Sequence, residues 1–255
     1  MIPSEWVDSL GPHSTPEDVA PLLDHRDTDE AHLLRLLRKR ELPSAVIAAI
    51  ARHERWNGRH LLRAAIVLHA KSPRTLSLRL LSLLLWRDQL RVATDIRLPV
   101  PLRTAAESRL RERLKELELG ERISLARSAP KGLLSLLVFD ESPRVIEALL
   151  HNPRLLEADV LSLLRRSETA KDVLRAVAGS ERWTNRPSIR IGVIQHPNTP
   201  VHTALSLLSR LGAAEIRKLI REKPLPPVVK LGAERILSGE KTPGKGRALT
   251  GTKRV

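Results

Sequence analysis

Along most of the chain, apolar residues recur three, six and seven positions after a proline, the spacing that gathers them on one face of an α-helix. Pro16 is followed by Val19, Leu22 and Leu23, and Pro43 by Val46, Ala49 and Ile50. Pro73 is followed by Leu76 and Leu80, and Pro99 by Leu102, Ala105 and Ala106. The scheme resumes at Pro143, Pro200 and Pro226. At Ala170 the proline is missing, but Val173, Ala176 and Val177 keep the spacing. Proline is tolerated in the first turn of a helix, where its missing N–H has no intrahelical partner. These positions therefore predict the openings of short two-helix units. The stretch Arg103–Glu118 alternates charges at Glu107, Arg111, Glu112 and Lys115, and reads as a longer, solvent-washed helix joining two halves. Asn57-Gly58, Thr184-Asn185 and Pro197-Asn198-Thr199-Pro200 read as turns between helices.

The pattern is written twice, 127 positions apart. Glu54-Arg55-Trp56 returns as Glu181-Arg182-Trp183, His69 and Pro73 as His196 and Pro200, and Leu98-Pro99 as Leu225-Pro226. Roughly 29 of about 90 aligned positions are identical between 21–110 and 148–237, about three times the chance level for so Leu- and Arg-rich a chain. Self-similarity at a long period marks a stacked repeat architecture. The chain therefore divides into a first helical half over 1–127, a second homologous half over 128–237, and a basic tail over 238–255. The tail lacks apolar periodicity and is expected to be disordered.

Composition narrows the picture. The apolar share is 42%, yet the chain has no Tyr, no Cys, one Phe and one Met. Such a core is made of many small aliphatic contacts, which suits closely packed helices better than sheets. Without Cys there is no disulfide, thiolate nucleophile or Cys-based zinc site. The segment Met1–Asp8 has neither the basic nor the apolar region of a signal peptide, and no apolar run is long enough to span a membrane. A cytoplasmic protein is expected. The net charge of +15 predicts attraction to polyanions; an Arg-rich composition without function would produce the same charge.

Phrases such as Val173-Leu174-Arg175-Ala176-Val177-Ala178 and Gln195-His196-Pro197-Asn198-Thr199-Pro200 resemble HEAT-like and leucine-rich-repeat-variant helical repeats over most of residues 16–238. The resemblance implies an all-α, right-handed α-solenoid of stacked two-helix repeats. Such a fold serves mainly as a binding surface and brings no catalytic residues and no cofactor.

Trp56 and Trp183 lie beside matching turns, with Arg55, Arg59 and Arg63 near the first and Arg182, Arg186 and Arg190 near the second. One reading is an exposed indole that stacks on a base or anchors a partner, with each Arg pair one helical turn apart and able to clamp phosphates. The other is an indole that plugs the gap between helix pairs. Arg38-Lys39-Arg40 and Arg165-Arg166 add two further basic clusters. His69 and His196 stand where a helix should end and are expected to bond its last carbonyls. The acidic run Asp24–Glu30 with His32 lacks the spacing of a metal loop and reads as a helix-capping turn.

Three functions compete. The leading one is a non-catalytic scaffold whose Arg-rich surface binds an acidic partner, nucleic acid first. The second is a protein–protein scaffold using the same surface. The third is an enzyme resembling the HEAT-like DNA glycosylases, for which Trp56, Trp86 and Trp183 with Asp88 or Glu181 would be the only candidates.

Overall fold

The computed structural model describes residues 3–222 and 225–239. Among them every regular element is an α-helix. The chain forms two compact units, Met1–Leu134 and Ser135–Val255. The first holds α1 (Pro3–Ser9), α2 (Pro16–Asp24), α3 (Glu30–Leu37), α4 (Ser44–Arg52), α5 (His60–Leu68), α6 (Arg74–Leu81), α7 (Trp86–Thr94), α8 (Val100–Arg113) and α9 (Leu119–Ser128). The short α10 (Lys131–Leu137) straddles the division. The second unit continues with α11 (Pro143–Leu150), α12 (Glu157–Leu164), α13 (Lys171–Gly179), α14 (Glu181–Thr184), α15 (Pro187–Gln195), α16 (Val201–Leu208), α17 (Ala213–Glu222) and α18 (Pro227–Ser238). The bounds of α3, α4, α5 and α6 recur 127 positions later as those of α12, α13, α15 and α16.

The prolines act one position earlier than the apolar spacing alone predicts. Pro43, Pro73, Pro99, Pro200 and Pro226 are N-caps, not first-turn residues. Their rings hold φ near the helical value while ψ stays extended, 146° at Pro43, so the chain bends before the helix starts. Pro16 and Pro143 do lie inside the first turn. Thr15 adds a capping box, accepting from the Asp18 N–H while the Asp18 carboxylate accepts from the Thr15 N–H.

Within the first unit the helices pack in two rows. In one, α2 lies against α4 and α6 against α8; in the other, α1, α3, α5 and α7 follow in succession. Contacts of α4 with α5, α5 with α6 and α7 with α8 join the rows. The second unit has α11, α13, α16 and α18 in one row and α12 with α15 in the other. The seam between rows is aliphatic. Leu33, Leu36, Val46, Ile47 and Ile50 are wholly buried in the first unit, and Val160, Leu174, Val177, Val193 and Ile194 in the second. Each such side chain is worth roughly 1.5–3 kcal/mol of burial, so many small contacts replace the aromatic core that the chain lacks.

The expected joining helix is shorter than its charge pattern suggested. α8 ends at Arg113 and buries Leu102, Ala106 and Leu110 against its neighbours in the first unit. Its charges occupy only the remaining face. Ser238 closes α18 and Gly239 ends it in the left-handed conformation, φ 76°, which glycine adopts without a Cβ clash. The tail predicted beyond it falls, from residue 240, outside the described residues. No helix among the described residues is long and apolar enough to cross a membrane.

Candidate functional site

The two tryptophans are not platforms for a base. Trp56 is 3% exposed and Trp183 fully buried. The Trp56 Nε1–H donates to the Leu23 carbonyl at 3.0 Å, and Trp183 Nε1–H to the Leu150 carbonyl at 2.8 Å. Each acceptor lies in the last turn of an earlier helix, α2 or α11, where carbonyls have no intrahelical partner. The exposed-indole reading is thereby corrected: each ring fills the gap between successive helix pairs and satisfies the end of the preceding one.

Most of the flanking arginines serve the same joint. Arg55 donates to the carbonyls of His25, Arg26 and Thr28 at 2.9, 3.2 and 2.8 Å, with its guanidinium 4.5 Å from the Trp56 ring centroid. Arg182 donates to the Leu150 and Asn152 carbonyls and lies 4.9 Å from the Trp183 ring. Arg63 Nε donates to the Asn57 carbonyl and Arg190 Nε to that of Thr184, 127 positions on. Arg186 stacks on Trp183 and pairs with Glu157 at 3.0 Å. The expected phosphate clamps Arg59–Arg63 and Arg186–Arg190 are therefore not assembled. Three of the four guanidiniums are bonded within the chain, and the exposed Arg59 side chain makes no hydrogen bond or ion pair among the described residues.

His69 and His196 end α5 and α15, but the carbonyl each bonds is not on its own helix. Nε2 meets the Lys39 carbonyl at 3.1 Å in the first case and the Arg166 carbonyl at 2.7 Å in the second. Nδ1 accepts the N–H of Lys71 or Asn198. Since Nδ1 is an acceptor, Nε2 is the donor. Both rings are buried and tie the turn after α3 or α12 to the end of α5 or α15.

The basic clusters divide as well. Lys39 Nζ donates to the carbonyls of Val7, Asp8 and Leu10 at 2.6, 3.1 and 2.7 Å, closing the end of α1. Arg166 lies 4.9 Å over the Phe139 ring. Arg38, Arg40 and Arg165 are exposed, and no carboxylate pairs with them among the described residues.

Arg38 and Arg40 line the feature that best fits a binding site, and Arg165 lines its counterpart 127 positions on. A groove of about 690 Å³ runs across α3, α5 and α7, with Leu34, Leu61, Ala64, Ala65 and Leu68 as its floor and Arg38, Arg40, Arg91 and Arg97 on its rim. The second unit has a groove of about 400 Å³ across α12 and α15. Each of its ten lining residues lies 127 positions after a lining residue of the first groove. Leu34, Leu37, Arg38 and His69 keep their residue type as Leu161, Leu164, Arg165 and His196. Arg40, Leu61, Ala64 and Leu68 are answered by Ser167, Ser188, Ile191 and Gln195.

Carboxylates temper part of the first rim. Asp88 binds His60 Nε2 at 2.8 Å and Arg91 at 3.2 Å. Asp95 takes the Arg97 guanidinium at 2.6 Å, and those hydrogen bonds hold its carboxyl below the usual carboxylate range and push Arg97 up. In the acidic run, Asp29 caps α3 by accepting the His32 N–H, which lowers its pKa, and Asp24 bonds His53. Of the residues offered for a glycosylase, Asp88 lines the first groove, while Trp56 and Trp183 are buried. Trp86 is buried with its Nε1–H on Glu121, and the Glu181 side chain is 82% exposed on the surface.

Sequence reasoning named Arg38, Arg40 and Arg165 but missed Leu34, Leu61, Leu68, Arg91 and Arg97. The signal that could have found the groove is the 127-position pairing of Arg38 with Arg165 on the rows that end at His69 and His196. Compared with known proteins, the chain matches no family model, and neither a curated protein nor a solved structure is significantly similar to it.

Proposed function

We propose that the chain is a non-catalytic binding scaffold for an acidic partner. In this reading its two units are tandem copies of a short, right-handed stack of HEAT-like two-helix repeats. The coincidence of helix bounds after 127 positions supports the tandem reading, as do the paired bonds of Trp56 with Trp183 and His69 with His196. The observation that carries the function is the groove that recurs in both units with an exposed arginine, Arg38 or Arg165, that pairs with no carboxylate among the described residues. Repeat stacks characteristically bind along such surfaces, and the +15 charge draws an acidic partner toward them.

Nucleic acid and protein are both acidic partners. The burial of Trp56 and Trp183 removes the stacking surfaces a single-stranded nucleic acid would use, and shifts the weight toward a protein partner. The test measures affinity for poly-Glu and for a dT oligonucleotide over a few-fold rise in salt, with the wild type and an Arg38→Glu/Arg165→Glu variant. Steeply salt-dependent binding that the variant loses is expected. Salt-independent binding, or a variant that binds like the wild type, would remove the reading.

A further inference from the structure

The groove of the first unit places two kinds of surface side by side. Leu61 is 54% exposed and lines the groove together with Leu34 and Leu68. Beside them, Arg38 and Arg40 pair with no carboxylate among the described residues, whereas Arg91 and Arg97 pair with Asp88 and Asp95. A phosphodiester strand would satisfy the two arginines and leave the leucines in water, and no Phe, Tyr or Trp lines the groove to stack on a base. A peptide with aliphatic side chains on one face and carboxylates beside them satisfies both surfaces together.

The second groove does not offer this combination. Ser188 and Gln195 stand in the places of Leu61 and Leu68, and Ser167 in that of Arg40. Ser188 is hydrogen-bonded to Glu157, which also pairs with Arg186, so a carboxylate of the chain already occupies that edge. At Gly192 the backbone approaches α12 so closely that a Cβ would stand 3.0 Å from Leu164 Cδ1, in keeping with a smaller opening.

We infer that the first unit's groove, and not its counterpart, is the docking site for an acidic segment of another protein that presents leucine-type side chains. The inference rests on the scaffold reading above, and adds to it the partner's chemistry and the unit that binds it. Leu61 and Leu68 receive the aliphatic side chains, while Arg38 and Arg40 hold the flanking carboxylates.

Three fluorescein-labelled probes of matched charge test it by anisotropy on the full chain: a peptide of repeating Glu-Leu-Leu-Glu, poly-Glu, and oligo-dT. The leucine-bearing peptide is expected to bind about tenfold or more tighter than poly-Glu, as the burial of one or two leucines implies. Leu61→Ser and Arg38→Glu/Arg40→Glu should each weaken it by about tenfold or more, and both change exposed side chains that the fold does not need. Ser188→Ala and Gln195→Ala in the second unit should leave it within about twofold. Equal affinity for the two peptides, or an unaffected Leu61→Ser variant, overturns the inference while leaving the scaffold reading intact. So does tighter binding of oligo-dT that depends on Arg38, or an equal loss from the second-unit changes. Failure of all three probes to bind removes both.

Discussion

The two units share their joints and differ in their grooves. At 127 positions' separation, the indole-to-carbonyl bond, the imidazole-to-carbonyl bond and the arginine-to-turn bonds recur at the same places. The groove floors diverge from Leu61 and Leu68 to Ser188 and Gln195. A joint that fills a gap and satisfies the end of the previous helix has almost no acceptable substitute, since a change leaves both a cavity and an orphaned carbonyl. A solvent-facing floor carries no such penalty and is free to change with what it touches. The bonded joint residues alike in both units therefore report on stability, and the groove-lining residues that differ report on what each surface meets.

The largest effect that would break this comparison is at the indoles. Trp56→Ala and Trp183→Ala should each cost about 3–5 kcal/mol, read from denaturant unfolding, and the two losses should be alike. A Trp183 variant that is nearly neutral would show that the second joint is not equivalent to the first. At the imidazoles, His69→Ala and His196→Ala each orphan a carbonyl and an N–H. A cost of about 1–3 kcal/mol apiece is expected, again by equilibrium unfolding.

Lys39 and Arg166 sharpen the contrast, because they occupy matching positions with different work. Lys39→Ala frees three carbonyls at the end of α1, and should cost about 1–2 kcal/mol with faster amide exchange confined to α1. Arg166→Ala removes only a ring contact and a 4.0 Å pair with Glu168, so it should stay within about 0.5 kcal/mol. Equal costs at the two positions would erase the distinction.

The smallest effect is one of pH. Asp95 has its folded pKa lowered by Arg97, so its contribution to stability is present above the ordinary carboxylate range. It is lost as pH falls through the depressed value. Asp95→Asn should remove a slight acid-side slope in stability and change nothing at neutral pH beyond the lost pair, which exposure of Arg97 keeps small. An unchanged acid limb would show that the pair does not contribute.

Helix positions were legible because the apolar spacing after Pro43, Pro73 and Pro200 is a local property of the chain, as each helix must turn one face inward. The aliphatic core was legible for the same reason, from the near absence of aromatics. The roles of the arginines were not. Arg55, Arg182 and Lys39 look like free cations in the sequence, but their partners are backbone carbonyls some 27 to 32 positions away. Every residue carries a carbonyl, so no pattern of side chains marks the ones that will accept. Arg38 and Arg165 are cations of the same kind, but among the described residues their guanidiniums bond to no carbonyl or carboxylate.

By itself the sequence determined an all-helical chain, the 127-position recurrence, and an aliphatic seam, since these follow from side-chain chemistry and local periodicity. Only the tertiary structure decided that Trp56 and Trp183 face inward, that most of the charge beside them closes helix ends, and that Leu61 lies open between arginines. Those outcomes depend on which helix ends come within hydrogen-bonding reach once the rows are stacked, a matter of distance in space that separation along the chain does not encode.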